Sequence, residues 1–150
     1  MALSLVPIQV NEDPEKPIFA SENCQLVLQM MAEFYPQIGF HLPWVGYFII
    51  KDDHIIGTCG FTGPPVNNRV EVSYWTFSQY ENQGIASEAC RQLVAIAINN
   101  TPTIVVVAKT MPEHNASTKV LQKNGFVYSG VVQDHEIGDA WEWIFQAING

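Results

Sequence analysis

The spacing of apolar positions alternates along the chain between the strand period and the helix period, and each change marks an element. Leu3 to Val10 reads as a first strand, followed by a loop from Asn11 to Pro17 that carries proline and glutamate. Ser21 is placed as the N-cap of a helix running to about Tyr35, with Pro36 as its end. Cys24, Val27, Met30, Met31 and Phe34 fall on one face of that helix and read as a core stripe. Trp44 to Lys51 and His54 to Phe61 read as a hairpin turning at Asp52-Asp53. Gly63-Pro64-Pro65 and Asn67-Asn68 are loop chemistry. From Arg69 to Phe77 the chain alternates, with Val70, Val72, Tyr74 and Thr76 on one side and Glu71, Ser73, Trp75 and Phe77 on the other.

A helix is expected from about Gly84 to Asn99, burying Ile85, Ala89, Leu93 and Ile96. Thr103 to Lys109 is a nearly continuous β-branched run, the pattern of a strand covered on both faces. Residues 115–124 predict a short helix; Phe126 to Val132 and Ala140 to Gln146 predict two last strands around an acidic loop. Periodicity therefore supports an α/β chain with a mixed sheet and helices on both faces. One domain spanning residues 1–150 is the expectation for this length.

Composition narrows the function classes. Almost half of the residues are apolar, enough to fill a core and to set disorder aside. No apolar run approaches the ~20 residues of a membrane span. Met1-Ala2-Leu3-Ser4 has no basic segment of a secretory signal, so the cytoplasm is expected. The formal net charge is −8 with seven Lys plus Arg. That argues against a nucleic-acid surface, which works by neutralising phosphates, and mildly favours a cationic partner such as an amine. Solubility alone explains the same charge. Cys24, Cys59 and Cys90 are widely spaced and read as reduced core thiols. His41, His54, His114 and His135 show no zinc spacing, and no metal is expected.

Two segments carry the chemistry. In Gln79-Tyr80-Glu81-Asn82-Gln83-Gly84-Ile85-Ala86-Ser87-Glu88-Ala89 a strand passes into a helix through small residues. The unsatisfied amides of such a helix start form an anion site, so a diphosphate could reach the backbone of Asn82, Gln83, Gly84, Ile85, Ala86 and Ser87. No Gly-Lys-Ser/Thr follows, so the loop is not a P-loop, and Gly84 stands alone, so it is not a dinucleotide fingerprint. The second segment, Asn115-Ala116-Ser117-Thr118-Lys119-Val120-Leu121-Gln122-Lys123-Asn124-Gly125-Phe126, opens a helix on a capping asparagine and closes it on a glycine.

In this order, about 30 residues apart with a β-branched strand between them, the two segments resemble the acyl-CoA site of the GNAT N-acetyltransferase superfamily. The second is similar to the branch that includes ribosomal-protein N-terminal acetyltransferases. The resemblance covers roughly Trp44 to Trp143 and implies the GNAT fold, a central mixed, mostly antiparallel sheet flanked by helices. It implies acetyl-CoA as co-substrate, with Trp75, Thr76, Phe77, the loop from Asn82 to Ser87, Asn115 and Ser117 along it. An amide near Tyr74 to Thr76 is implied as the donor to the carbonyl oxygen. The chain departs from the pattern at Glu81, where Gln or Arg is usual, and at Leu121, where many relatives carry an acidic tyrosine. In the branch named above a helix serine takes that place, which gives Ser117 the alternatives of acid or CoA contact.

Glu71 is the candidate base, sharing its strand face with Trp75 and Phe77, whose apolar surroundings raise a carboxyl pKa. The structural alternative is a strand glutamate paired with Arg69 or solvated. His114 and His135 are rival bases with no context that aims them. No cysteine lies near a histidine in either segment, so direct attack in a ternary complex is preferred over covalent catalysis. The resemblance implies an acceptor pocket bordered by the first helix, His41 to Trp44 and the acidic loop from Asp134 to Asp139. Its carboxylates suit a cationic amine: a peptide N-terminus, a polyamine or an amine-bearing antibiotic. Two other readings stay open, a non-catalytic acyl-CoA-binding module of the same fold and an unrelated nucleotide-binding α/β domain. Oligomeric state is not readable; Trp141 and Trp143 are either core or the face of a homodimer.

Overall fold

The computed structural model describes residues 2–147. Its elements run β1 (Ser4–Pro7), α1 (Glu22–Ile38), β2 (Gly46–Lys51), β3 (His54–Phe61), β4 (Arg69–Thr76), α2 (Ile85–Asn100), β5 (Val105–Thr110), α3 (Ala116–Lys123), β6 (Phe126–Asp134) and β7 (Gly138–Phe145). The seven strands form one sheet in the order β1-β2-β3-β4-β5-β7-β6. Every neighbouring pair is antiparallel except β4 and β5. The predicted order of elements is the observed one. Short 3-10 turns at Pro17–Phe19 and Ser78–Tyr80 were not expected from the pattern.

Several boundaries differ from the sequence reading by one or two residues, among them the starts of β2 and β5, and three places differ for a clear local reason. The first strand is only Ser4–Pro7, because pairing with β2 ends at Pro7↔Tyr47. Pro36 does not end α1, which continues to Ile38 and stops at Gly39. A proline in the last turn removes one amide bond and no more. The chain then leaves through Gly39, whose φ of 80° suits a residue without Cβ and whose N–H donates to Tyr35 O at 2.7 Å. β6 runs on to Asp134 and β7 begins at Gly138, so the acidic turn is tighter than predicted.

Two features of the sheet position the site. β4 and β5 pair only from Arg69↔Val105 to Glu71↔Val107, and beyond Glu71 β4 has no ladder partner on that side. A parallel pair that parts midway leaves backbone groups of both strands open in the gap. The second feature is a cross-strand row of small residues, Gly46↔Gly60↔Ser73, on β2, β3 and β4. No large side chain rises from the sheet there, and α1 passes over the hollow. Tyr35 on α1 ties the helix down beside it, its buried hydroxyl donating to Ile8 O at 2.6 Å and accepting from Gly46 N–H at 3.3 Å.

Elsewhere the core is densely filled by β-sheet aromatics and the α2 stripe of Ile85, Ala89, Cys90, Leu93, Val94 and Ala97. Ile96 is only half-buried, because the buried face of α2 turns through Ala97 instead. Cys24, Cys59 and Cys90 are free and buried, the expected core thiols. Trp143 is core: it is 2% exposed and its indole N–H donates to Thr110 Oγ1 at 3.0 Å. Trp141 is half-buried against His114 and Tyr128.

Candidate active site

Two cavities meet at Tyr74 and Trp75, where β4 leaves β5. The first, of about 380 Å³, lies between the start of α2 and the start of α3. Its inner end is built by Gly84, the N-cap of α2, in the left-handed region at φ 76°. Asn82, at φ 64°, also has positive φ, so the loop folds back tightly before the helix begins. The first bond in the helix is Glu88 N–H to Gly84 O at 3.1 Å. The amides of Ile85, Ala86 and Ser87 therefore have no acceptor among the described residues, and the helix dipole adds partial positive charge to them.

α3 closes the opposite wall. Asn115 caps it in a reciprocal box: its Oδ1 accepts from Thr118 N–H at 3.1 Å, and its own N–H donates to Thr118 Oγ1 at 2.9 Å. Asn124 ties the two helices together, its amide donating to Ser87 O at 3.2 Å. Trp75, Thr76, Asn82, Gly84, Ile85, Ala86, Ser87 and Ser117 all line this cavity. Phe77, Gln83 and Asn115, expected along the same ligand, do not. Phe77 is 1% exposed, its ring packed on Trp75 and its N–H donating to Ile56 O. Asn115 spends its side chain on the cap. The sequence reading missed Tyr80 and Val120 as wall residues; Val120 lies near Ser117 on α3, a helical spacing that could have placed it there.

Two observations fit this cavity to a ligand with a phosphate end and an amide arm, such as an acyl-CoA. One is the row of open amides on α2. The other is Thr76 Oγ1, buried on the cavity wall without a hydrogen-bond partner. A buried hydroxyl left unpaired costs about 1–3 kcal/mol, so a polar ligand group there recovers stability.

At the junction Tyr74, not singled out from the sequence, is the central group. Its hydroxyl lies 3.0 Å from Ser117 Oγ and 3.0 Å from Ser117 O. Burial pushes its pKa up to about 12, so the phenol keeps its proton at any physiological pH. The carbonyl can only accept. Either Tyr74 donates to it and receives the Ser117 hydrogen, or Tyr74 donates to Ser117 Oγ and frees that hydrogen.

The second cavity, of about 540 Å³, sits beneath α1 over the small-residue row. Met30 and Phe34 open onto it rather than into the core, correcting the sequence reading at those two positions, while Met31 lines it and still packs against the core as expected. Cys24 and Val27 from the same stripe are buried as expected. Glu33 on α1 and Glu136 from the β6–β7 turn bring carboxylates to its wall. His41 to Trp44 do not reach it.

Glu71 lies outside both. It lines a third cavity of about 550 Å³ with Arg69, Lys109 and Glu142, two residues along β4 from Ser73. Arg69 does not pair with it; Arg69 pairs with Glu142 at 3.0 Å. Lys109 Nζ instead lies 3.4 Å from Glu71 and 3.5 Å from Asp134. Burial raises the Glu71 pKa above the usual carboxylate range, and the Lys109 ammonium pulls against that rise. Burial opposes charge on Lys109 itself, but Glu71 and Asp134 together hold its pKa above the ordinary value. Phe77, expected to help desolvate Glu71, is packed away at the strand end. His114 packs on Trp141 and His135 pairs with Glu136 at 3.8 Å, and neither lines any of these three cavities. No group of three or more His, Cys, Asp or Glu among the described residues is placed to hold a metal ion.

Comparison with known proteins agrees with this arrangement. Residues 9–127 match the family model described as Acetyltransferase (GNAT) domain. The ribosomal-protein-serine acetyltransferase of Escherichia coli strain K12 is 29% identical over 98 residues, covering 64% of this chain and 55% of that protein. An N-acetyltransferase of uncharacterised role, p20 of Bacillus licheniformis, is 33% identical over 90 residues, covering 59% of this chain and 51% of the relative. The chain thus spans about half the length of the curated relatives it matches. Among solved structures, a ribosomal L7/L12 alpha-N-protein acetyltransferase in complex with coenzyme A superposes with a TM-score of 0.63 at 19% identity, over 82% of this chain and 71% of that one. An acetyltransferase from Agrobacterium tumefaciens str. C58 gives 0.67 at 16% identity, over 97% and 91%. At those identities the superpositions establish the shared fold.

Proposed function

We infer the activity from a premise now in place, that this chain belongs to the GNAT acetyltransferase family, and propose that it moves an acetyl group from acetyl-CoA to a primary amine. The observation that carries the reading is the junction at Tyr74 and Trp75 of two cavities, one of open amides and one lined by apolar groups and carboxylates. A two-substrate transfer without a covalent enzyme intermediate needs two sites that touch.

The open amides of Ile85, Ala86 and Ser87 would hold the diphosphate of acetyl-CoA, and the walls formed by Thr76, Ser117 and Val120 its amide arm. When bound, that molecule supplies an activated thioester; the amine nitrogen bonds to the acyl carbon, the C–S bond breaks, and the amine gives up one proton. Backbone N–H groups of β4 beyond Glu71, free of a β5 partner, would stabilise charge on the acyl oxygen. Ser117 would donate a hydrogen bond to the departing sulfur, with Tyr74 holding its hydroxyl. An aliphatic hydroxyl is a far weaker acid than a thiol, so Ser117 steadies the thiolate rather than surrendering its own proton.

Glu71 is the proposed base. Its place two residues from Ser73, roughly 7 Å along the strand, has it work through water instead of touching the amine. The raised pKa suits that task. Its pairing with Lys109 outside the joined cavities is also the observation that favours the second reading, an acyl-CoA-binding module without turnover. The three free, buried thiols suit a reducing compartment, the cytoplasm. No helix among the described residues is long and apolar enough to cross a membrane.

The test is free-thiol release from acetyl-CoA across a panel of primary amines, alongside calorimetric binding of acetyl-CoA. Release with an acceptor, reduced about 100-fold or more in kcat by Glu71→Gln at unchanged acetyl-CoA affinity, is expected. Binding without release for every amine would favour the non-catalytic module.

A further inference from the structure

The 540 Å³ cavity beneath α1 has a chemistry narrower than amine binding in general. One helical stripe of α1 supplies Met30, Glu33, Phe34 and Gln37 to it, and β4 supplies Trp75. The floor is the row Gly46, Gly60 and Ser73, which adds depth without a polar group of any reach beyond the serine. Not one lysine or arginine lines it among the described residues, while Glu33 and Glu136 both do. Two large apolar groups on its wall, Met30 and Trp75, are 51% and 38% exposed and so open to a ligand.

From this lining we propose that the acceptor is a small primary amine with a single positive charge on a compact apolar or aromatic body. The inference rests on the acetyl-transfer reading above and adds the substrate class to it. The volume falls in the range of small-molecule sites. Methionines adapt to irregular apolar shapes and make favourable contacts to aromatic rings. The exposed indole of Trp75, at the mouth shared with the acyl-CoA cavity, offers a cation–π surface to the incoming ammonium before it loses its proton. Glu33 and Glu136, both solvent-exposed, stand at the cavity rim, where they steer a cation inward and disfavour an acid.

The same lining argues against the alternatives. A polyamine or an aminoglycoside carries several ammonium or hydroxyl groups, more than Glu33, Gln37, Ser73 and Glu136 could pair, and the rest would lose water against Met30, Met31, Phe34 and Phe61. An amino acid carries a carboxylate that would face Glu33 and Glu136 with no cation to meet it. A peptide N-terminus brings further backbone amides, which only the edge of β4 beyond Glu71 could pair and the apolar stripe of α1 could not.

The experiment measures kcat/KM for 2-phenylethylamine, hexylamine, phenylalanine, spermidine, kanamycin and a tetrapeptide, with acetyl-CoA binding followed separately by calorimetry. The two monoamines are expected to exceed each other acceptor at least tenfold. The pair 2-phenylethylamine and phenylalanine isolates the carboxylate, and Glu33→Gln with Glu136→Gln should narrow that preference at least threefold. Met30→Glu should reverse the order of hexylamine and spermidine while acetyl-CoA affinity stays unchanged. Faster acetylation of spermidine, kanamycin or the peptide would overturn the substrate class while leaving acetyl transfer intact. Absence of transfer to all six would overturn it too. In that case bound acetyl-CoA would keep the fold's cofactor site, and its failure to bind would remove the transferase reading as well.

Discussion

The two cavities that meet at Tyr74 are built on opposite principles. The one between α2 and α3 is made by main chain: a left-handed Gly84, three amides at a helix start, a capping box at Asn115. The one beneath α1 is made where small residues, Gly46, Gly60 and Ser73, align across three strands, and by a helix held above them through Tyr35. In the proposed reading, backbone donors recognise what every acyl-CoA shares, and the apolar stripe of Met30, Met31 and Phe34 recognises what differs between acceptors. A fold can therefore keep the first constant and change substrate by altering a few side chains of the second.

That contrast can be broken one side at a time. The largest effect is expected from Gly84→Val. A β-branched residue is strained at φ 76°, and distorting the helix start should weaken acetyl-CoA binding about 10–100-fold by calorimetry. Ser73→Leu should do the converse. It fills the hollow beneath α1 without lining the acyl-CoA cavity, so steady-state kinetics should show the acceptor KM raised about tenfold at unchanged acetyl-CoA affinity. Equal loss of both affinities in either variant would show that the cavities are not independent.

Smaller effects sharpen the comparison through stability and pH. Tyr35→Phe strands a buried carbonyl and an amide and should lower stability by about 1–3 kcal/mol in denaturant unfolding. Asn115→Ala removes only a helix cap, and about 1 kcal/mol is expected. The smallest change concerns Glu71, whose proposed role as base requires the deprotonated form. Burial raises its pKa and Lys109 restrains the rise, so Lys109→Met should move the acidic limb of the kcat/KM profile to higher pH. A limb that stays in place would remove Glu71 from the role of base.

The main-chain cavity was legible in the sequence because its determinants are local. Gly84, Ala86 and Ser87 declare a tight helix start, and Asn115 with Thr118 declares a cap, without knowledge of what packs nearby. Residues within that segment could still mislead: Gln83 and Phe77 share the neighbourhood, but the turn and the burial of Phe77 take them off the wall. The cavity beneath α1 was legible only through the family resemblance, which put the first helix and the acidic loop at its border; its apolar lining was not, for the opposite reason. Met30, Met31 and Phe34 have the spacing of a core stripe, and only the alignment of Gly46, Gly60 and Ser73 across three strands lets Met31 sit against the sheet while Met30 and Phe34 stay on the cavity wall. That alignment is a register, which helical periodicity does not contain. The same holds for Tyr74 with Ser117, 43 positions apart in the chain, and for Lys109 with Glu71.

The most direct test of the central claim, that one cavity takes the acyl-CoA and its neighbour the amine, is calorimetry with a conjugate of CoA and 2-phenylethylamine joined through an acetyl bridge on the sulfur. Binding at least tenfold tighter than CoA alone, with the gain lost in Ser73→Leu, is the predicted result. A conjugate that binds no tighter than CoA would contradict the account, because two cavities sharing Tyr74 and Trp75 must accept both halves at once.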